Sequence, residues 1–166
     1  MSAEPDTAPA PLALPAPRHA FVGWRLLALF YDAWPVLALW MLISVAFTLG
    51  YTYLGHHDSH QNIAPFSALQ WLLWLSCWVV AGLYATVSWR RGGQTLGMRP
   101  WRIVVTSVHG QHQPSRKALW LRYAVGTLSL LCAGLGFWWA WFDRDRLTWH
   151  DRASGTRIIR NPRPAR

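Results

Sequence analysis

The sequence predicts an all-α membrane protein: two transmembrane helices, a third apolar segment, and a small cytoplasmic β-pair. Three observations predict it. Of 166 residues 52% are apolar and only 14% charged, a balance unusual for a soluble domain. The apolar residues gather into long runs, Leu26 to Tyr53 and Phe66 to Trp89, and about 18 such residues suffice to cross a hydrocarbon core roughly 30 Å thick. The basic residues flank those runs, where topology signals belong.

Residues 1–20 are rich in Ala and Pro and lack a basic stretch ahead of an apolar core, so they read as a disordered tail and not as a cleaved signal. The membrane domain then spans 21–160, and 161–166 form a second disordered tail. The first run serves as an uncleaved anchor, with Arg25 and Asp32 near its start and Pro35 positioned to bend it. A short loop from Gly55 to Pro65 has no Lys or Arg. Its His56, His57 and His60, with Asp58, are weighed as metal ligands, but no further acid or thiolate completes a site, and a solvated loop is the simpler reading. Cys77 and Cys132 lie inside apolar segments without metal-ligand spacing. No metal and no cofactor is expected.

After the second run comes a basic stretch with Arg90, Arg91, Arg99, Arg102, Arg116 and Lys117. Within it Arg102 to Val108 is β-branched and loosely alternating, which predicts a short strand, with Gly110 in the following turn. Thr156 to Arg160 predicts its partner, the two forming a small sheet at the membrane surface. Leu119 to Phe142 is the third apolar segment, interrupted by Arg122 and by Gly126, Gly134 and Gly136.

Tryptophans such as Trp24, Trp71, Trp89, Trp120 and Trp141 lie near segment ends, where an indole straddles lipid and water. The formal charge of +9 in a soluble protein would raise nucleic-acid binding. No binding module accompanies these arginines, and nucleic acid is set aside as a partner. The bilayer is the expected partner, with a homo-oligomer or a membrane partner protein beside it.

Two Lys or Arg flank the N-terminal side, none the first loop, six the second and seven the tail. The positive-inside rule then places the N-terminus and the second loop in the cytoplasm of a bacterial inner membrane. A third full crossing would export the arginine-rich tail against that rule. A re-entrant or short helical hairpin, breaking near Gly134 and Gly136 and sheltered by the first two helices, keeps both basic regions on one side. It is favoured over a third span.

A carboxylate at depth in a bilayer costs about 2.5–3.5 kcal/mol on insertion scales, so Asp32 needs a partner, a proton or water. Arg25 is seven residues earlier on the same helix face, with Ala28 between them admitting a close neighbour helix. Arg122 has two readings open, snorkelling to the headgroups or serving as counter-ion to Asp32. Asp151 has three: capping a surface helix, pairing with Arg25, or lying solvated among arginines.

Arg25 and Asp32 on the first helix and Asp151 after the last apolar segment resemble the pattern of the RDD family of membrane proteins. Gly93 to Gly97, reading Gly-Gln-Thr-Leu-Gly, and His150 to Thr156 ahead of Arg157-Ile158-Ile159 also resemble it. The resemblance covers about residues 20 to 160. Met98 stands where the family commonly carries a basic residue, and Arg99 follows it. The resemblance implies a multi-helix membrane protein, transport of an unidentified ligand, and, for some members, sodium/proton antiport.

Two functions follow from Arg25, Asp32, Arg122 and Asp151. One is transport or cation/proton exchange, in which Asp32 binds the proton or cation. The other is a non-transporting anchor or assembly factor whose basic face binds anionic lipid or a partner protein. Enzymatic activity is not expected: no nucleophile with a base is visible, and Gly-Gln-Thr-Leu-Gly lacks the ending of a phosphate loop.

Overall fold

A computed structural model of the chain describes residues 20–56, 62–108 and 113–160. The tails, His57, Asp58, His60 and Gly110 lie outside the described residues, so the histidine-loop reading and the turn at Gly110 are left where the sequence put them.

The first helix, α1 (Val22–Leu49), runs unbroken through Pro35 and continues as a π-helical turn, Gly50–Leu54. The second, α2 (Ala68–Gly92), is capped by Ser67, whose hydroxyl accepts the Gln70 amide, and ends at left-handed Gly93. Arg90 and Arg91 sit in its last turn, where the helix dipole favours cations. Both helices are long and apolar enough to span a membrane. Phe30, Trp34, Met41 and Leu42 of α1 are exposed. Water would not tolerate a patch of that size; lipid does.

Strand β1 (Ile103–Ser107) pairs antiparallel with β2 (Thr156–Arg160), Ile103 opposite Arg160 and Ser107 opposite Thr156. The Val105 amide donates to the Gly93 carbonyl at 2.8 Å, which ties the sheet to the end of α2. Ile103, Val105 and Ile158 face inward and join Ala28, Met98 and Leu119 in the main core, with Trp24, Trp89 and Trp101 packed against it.

The third apolar segment is bent. Helix α3 (Arg116–Leu131), capped by Ser115, stops at Cys132, and α4 (Leu135–Trp138) leaves at 108°, running into a 3-10 turn, Trp139–Trp141. The backbone turns through two successive left-handed residues, Ala133 and Gly134. Gly136 allows α4 to fold back, because a Cβ there would collide with Ser129 of α3. The short α5 (Trp149–Ser154) follows, closed by a capping box between Thr148 and Asp151 and ended by left-handed Gly155.

The bend falls where the sequence placed it, and the sheet explains its consequence. β1 precedes the bent segment and β2 follows it, and they are hydrogen-bonded to each other, so both flanks of α3–α4 lie at one end of the helix pair. The β-pair occupies the predicted residues, one residue shorter at each end of the first strand.

With Cys77 and Cys132 replaced by alanine, Arg99→Cys and Arg152→Cys are expected to react with an impermeant maleimide from one side of oriented vesicles, and Tyr53→Cys from the other. Labelling of Arg152→Cys from the Tyr53 side would mean a complete third crossing.

Candidate functional site

Two acids organise the space between the helices, and they do so by different chemistry.

Asp151 lies on α5 with none of its surface exposed. Arg25 of α1 donates to its Oδ2 at 2.5 Å, and Arg122 of α3 donates to its Oδ1. Each guanidinium also reaches a hydroxyl, Arg25 that of Thr148 at 3.2 Å and Arg122 that of Thr156 at 2.8 Å. The Arg122 guanidinium stands over the Trp89 ring, 5.3 Å from its centroid, an arrangement that favours a cation. Burial alone would raise the Asp151 pKa, but Arg25 and Arg122 outweigh it and hold the carboxyl well below its usual range. The same acid accepts the Thr148 amide at 3.3 Å and so completes the helix cap.

His150 is its buried neighbour, with Nε2 3.9 Å from Asp151 Oδ1 and its ring 4.8 Å from that of Phe137. Burial first, then the positive charge of Arg122, pushes its pKa down to about 3. It is neutral at physiological pH.

Asp32 lies further along α1 and accepts only from uncharged donors. Tyr84 of α2 donates to Oδ1 at 2.7 Å, the Gly97 amide to Oδ1 at 2.9 Å, and the Thr95 hydroxyl to Oδ2. No salt bridge to Asp32 forms among the described residues. The two protein donors beyond Tyr84 come from Gly93–Gly97, the turn after α2, pinned by the Gln94 amide donating to the Ile103 carbonyl at 2.9 Å. Gly97 is required for the approach: a Cβ there would run into the Ala28 carbonyl and the Asp32 side chain. Thus Ala28 does admit a close neighbour, but the neighbour is a turn and not a helix.

Between these two groups lies a cavity of about 400 Å³. Its wall includes Arg25, Asp32, Arg122 and His150, with Tyr84, Thr95 and Gly126; the rest is mainly aliphatic and aromatic.

All four residues singled out in the sequence therefore line the cavity or brace its wall. Their pairing needs correction in two places. Arg122 neither snorkels nor pairs with Asp32: it is buried and bonded to Asp151. Asp151 is not solvated; it both caps α5 and pairs with Arg25. Sequence reasoning missed Thr95, Gly97 and Tyr84 as the Asp32 clamp. Gly-Gln-Thr-Leu-Gly carried the signal, since a turn with a hydroxyl between two glycines supplies free donors at close range, but nothing in one sequence said which acid would accept them.

The family model for the RDD family matches residues 19–155. No curated protein matches, and no solved structure does.

Removing one partner from a buried ion pair leaves an uncompensated charge and costs about 3–5 kcal/mol. Asp151→Ala is expected to be the most damaging single change here, because it leaves two buried guanidiniums facing each other, and Arg25→Ala or Arg122→Ala to cost less; thermal unfolding in detergent ranks them. The pH dependence separates His150 from Asp151. Between pH 6.5 and about 3 the unfolded chain binds a proton that folded His150 refuses, so stability falls as pH drops through that window, by up to about 1.4 kcal/mol per pH unit. The contribution of Asp151 is intact above about pH 4 and is lost only as pH falls towards its depressed folded value. His150→Phe is expected to flatten the slope between pH 6 and 4, and an unchanged slope would place the titrating group elsewhere.

Proposed function

The chain belongs to the RDD family, a membrane protein by its apolar helices, and from that premise we propose that it moves an unidentified ligand or exchanges a cation for protons. One observation carries the proposal: Asp32 sits on a helix long and apolar enough to span a membrane, faces a cavity, and has no cationic partner among the described residues. Asp32 is ten residues after the start of α1 and level with the turn that follows α2, near the end that carries Arg90 and Arg91. A carboxylate on a spanning helix at the margin of the hydrocarbon core takes a proton, a cation or water. Its neutral donors hold the side chain in place and leave the charge itself to be met by whatever enters.

The other acid is unsuited to the role. Asp151 is fully occupied by two guanidiniums and a helix cap, so it braces the site while Asp32 works in it. In this reading the protein has no enzymatic activity. It resides in a bacterial inner membrane with both termini in the cytoplasm, where its arginine-rich face meets anionic headgroups. Two long helices and one bent pair wall the cavity incompletely, and a homo-oligomer or a membrane partner completes the pathway.

Reconstituted in vesicles, the protein is expected to carry protons against sodium or potassium, and Asp32→Asn to reduce that flux by at least about ten-fold while the fold persists. Tyr84→Phe, which removes one of several donors, is expected to shift the pH optimum with a smaller loss. Undiminished flux after Asp32→Asn would remove the proposed site. Absence of flux, together with lowered recovery of a complex in the Asp32→Asn variant, would favour a non-transporting anchor or assembly factor.

A further inference from the structure

We infer that the cavity takes a lipophilic monoanion, an acyl or alkyl chain ending in a carboxylate or phosphate, with the anionic head at Arg25 and Arg122. The inference deepens the reading above, resting on the cavity being a ligand compartment, and concerns its Arg25 and Arg122 end, with Asp32 midway along the α1 lining.

Charge is the first argument. Arg25 and Arg122 meet the single carboxylate of Asp151, so the cluster holds one positive charge in excess. His150 is neutral and offers no negative charge. Asp32, the acid that lines the cavity, is seven residues away along α1, about 10 Å, and its oxygens already accept from Tyr84, Thr95 and Gly97. A buried charge without a counter-ion is costly, and an anion entering the cavity supplies one.

Unused donors are the second argument. The Nε–H groups of Arg25 and Arg122, both on buried side chains, have no acceptor among the described residues, and neither has His150 Nδ1 a partner. Buried polar groups are ordinarily satisfied, so these point to an absent acceptor. All three residues line the cavity.

Shape is the third. On α1 the lining runs from Arg25 to Trp40, about 22 Å of helix, and beyond Asp32 it includes apolar residues such as Ala33, Val36 and Trp40. Leu29 and Trp40, at its edge, are exposed on the surface that faces lipid. An amphiphile therefore enters sideways from the bilayer, chain along the helices and head against the arginines. A free small anion would leave the long apolar wall empty.

The test uses the full chain in nanodiscs of phosphatidylcholine, which carries no net charge, at a pH where a fatty acid is ionised. Trp40, Trp78 and Trp89 line the cavity, so bromine on a bound chain quenches tryptophan emission. Dibromostearate is expected to quench saturably and at least about ten-fold more tightly than its methyl ester, the difference expected for a charge-assisted hydrogen bond. Gly126→Leu should abolish the saturable component. A Cβ at Gly126 meets only the His150 ring, at 4.0 Å, so the change narrows the cavity without touching the arginines. Val36→Phe narrows it from α1 and replaces the first variant if that one does not fold. Hexadecyl phosphate tests the head: competition admits phosphate as well as carboxylate, and its failure restricts the site to carboxylates. Equal affinity for acid and ester would overturn the inference, as would unchanged quenching in the narrowed variants. Competition by acetate or inorganic phosphate as strong as that of an amphiphile would also overturn it, showing an anion site with no use for the chain. Binding without ion flux would sink the transport reading and leave this one; flux without binding would do the reverse.

Discussion

Everything in the described fold converges on one carboxylate with two guanidiniums. Arg25 and Asp151 are separated by 126 residues and Arg122 and Asp151 by 29, so the contact joins the first helix, the bent third segment and the short helix that follows it. A buried ion pair is weak ground for stability, since desolvating the charges consumes most of what their attraction returns. Its force lies in what happens when it is broken: three buried charges tolerate one mutual arrangement and penalise the others. The capping box on α5 and the pairing of β2 with β1 then fall into register around Asp151, because Thr148 and Thr156, which flank it in sequence, each accept through a hydroxyl oxygen from one of the same arginines.

That arrangement divides labour between the two acids. Asp151 is surrounded by cations and cannot release its charge within any ordinary pH range. Asp32 is held by neutral donors in a wall that faces open volume. A single helix, α1, carries Arg25 to the first acid and provides the second, and the cavity occupies the space between. The charges are thus arranged in series along one helix: a positive end locked by Asp151 and a carboxylate held by neutral donors beside the cavity.

Much of this was legible in the sequence, and the part that was not has a physical explanation. Spans are written in hydropathy, because lipid demands about 20 apolar residues. The bend at Gly134 followed from the arginine bias of the tail together with glycines in an otherwise apolar run. The strands followed from β-branched residues in polar surroundings. Arg25, Asp32, Arg122 and Asp151 stood out because each is expensive at its position. What could not be read was partnership. Cost tells that a charge needs company and says nothing of whose, and Arg122 was open to Asp32 or to the headgroups by its place near a segment end. Only the third dimension brings α5 against α3 and gives Asp151 to both arginines. The clamp on Asp32 was hidden for a related reason: Thr95, Gly97 and Tyr84 are ordinary residues in sequence and become specific through one close approach, that of the turn to Ala28.

The bend of the third segment and the charge cluster are one solution to one problem. A third full crossing would have carried Asp151 and its neighbouring arginines away from Arg25, leaving a guanidinium near the start of α1 with no acid in reach. Turning back at Ala133 and Gly134 returns the chain to the end where Arg25 lies. The price is an irregular stretch of backbone, which a bilayer permits only where protein shelters it. Here part of that shelter is close packing of α4 on α3, with Gly136 against Ser129. Gly126, Thr127 and Leu130 of α3 and Phe137 of α4 line the cavity, so the bent segment forms one of its walls. The feature that brings Arg25, Arg122 and Asp151 together therefore also lends a wall to the cavity beside them.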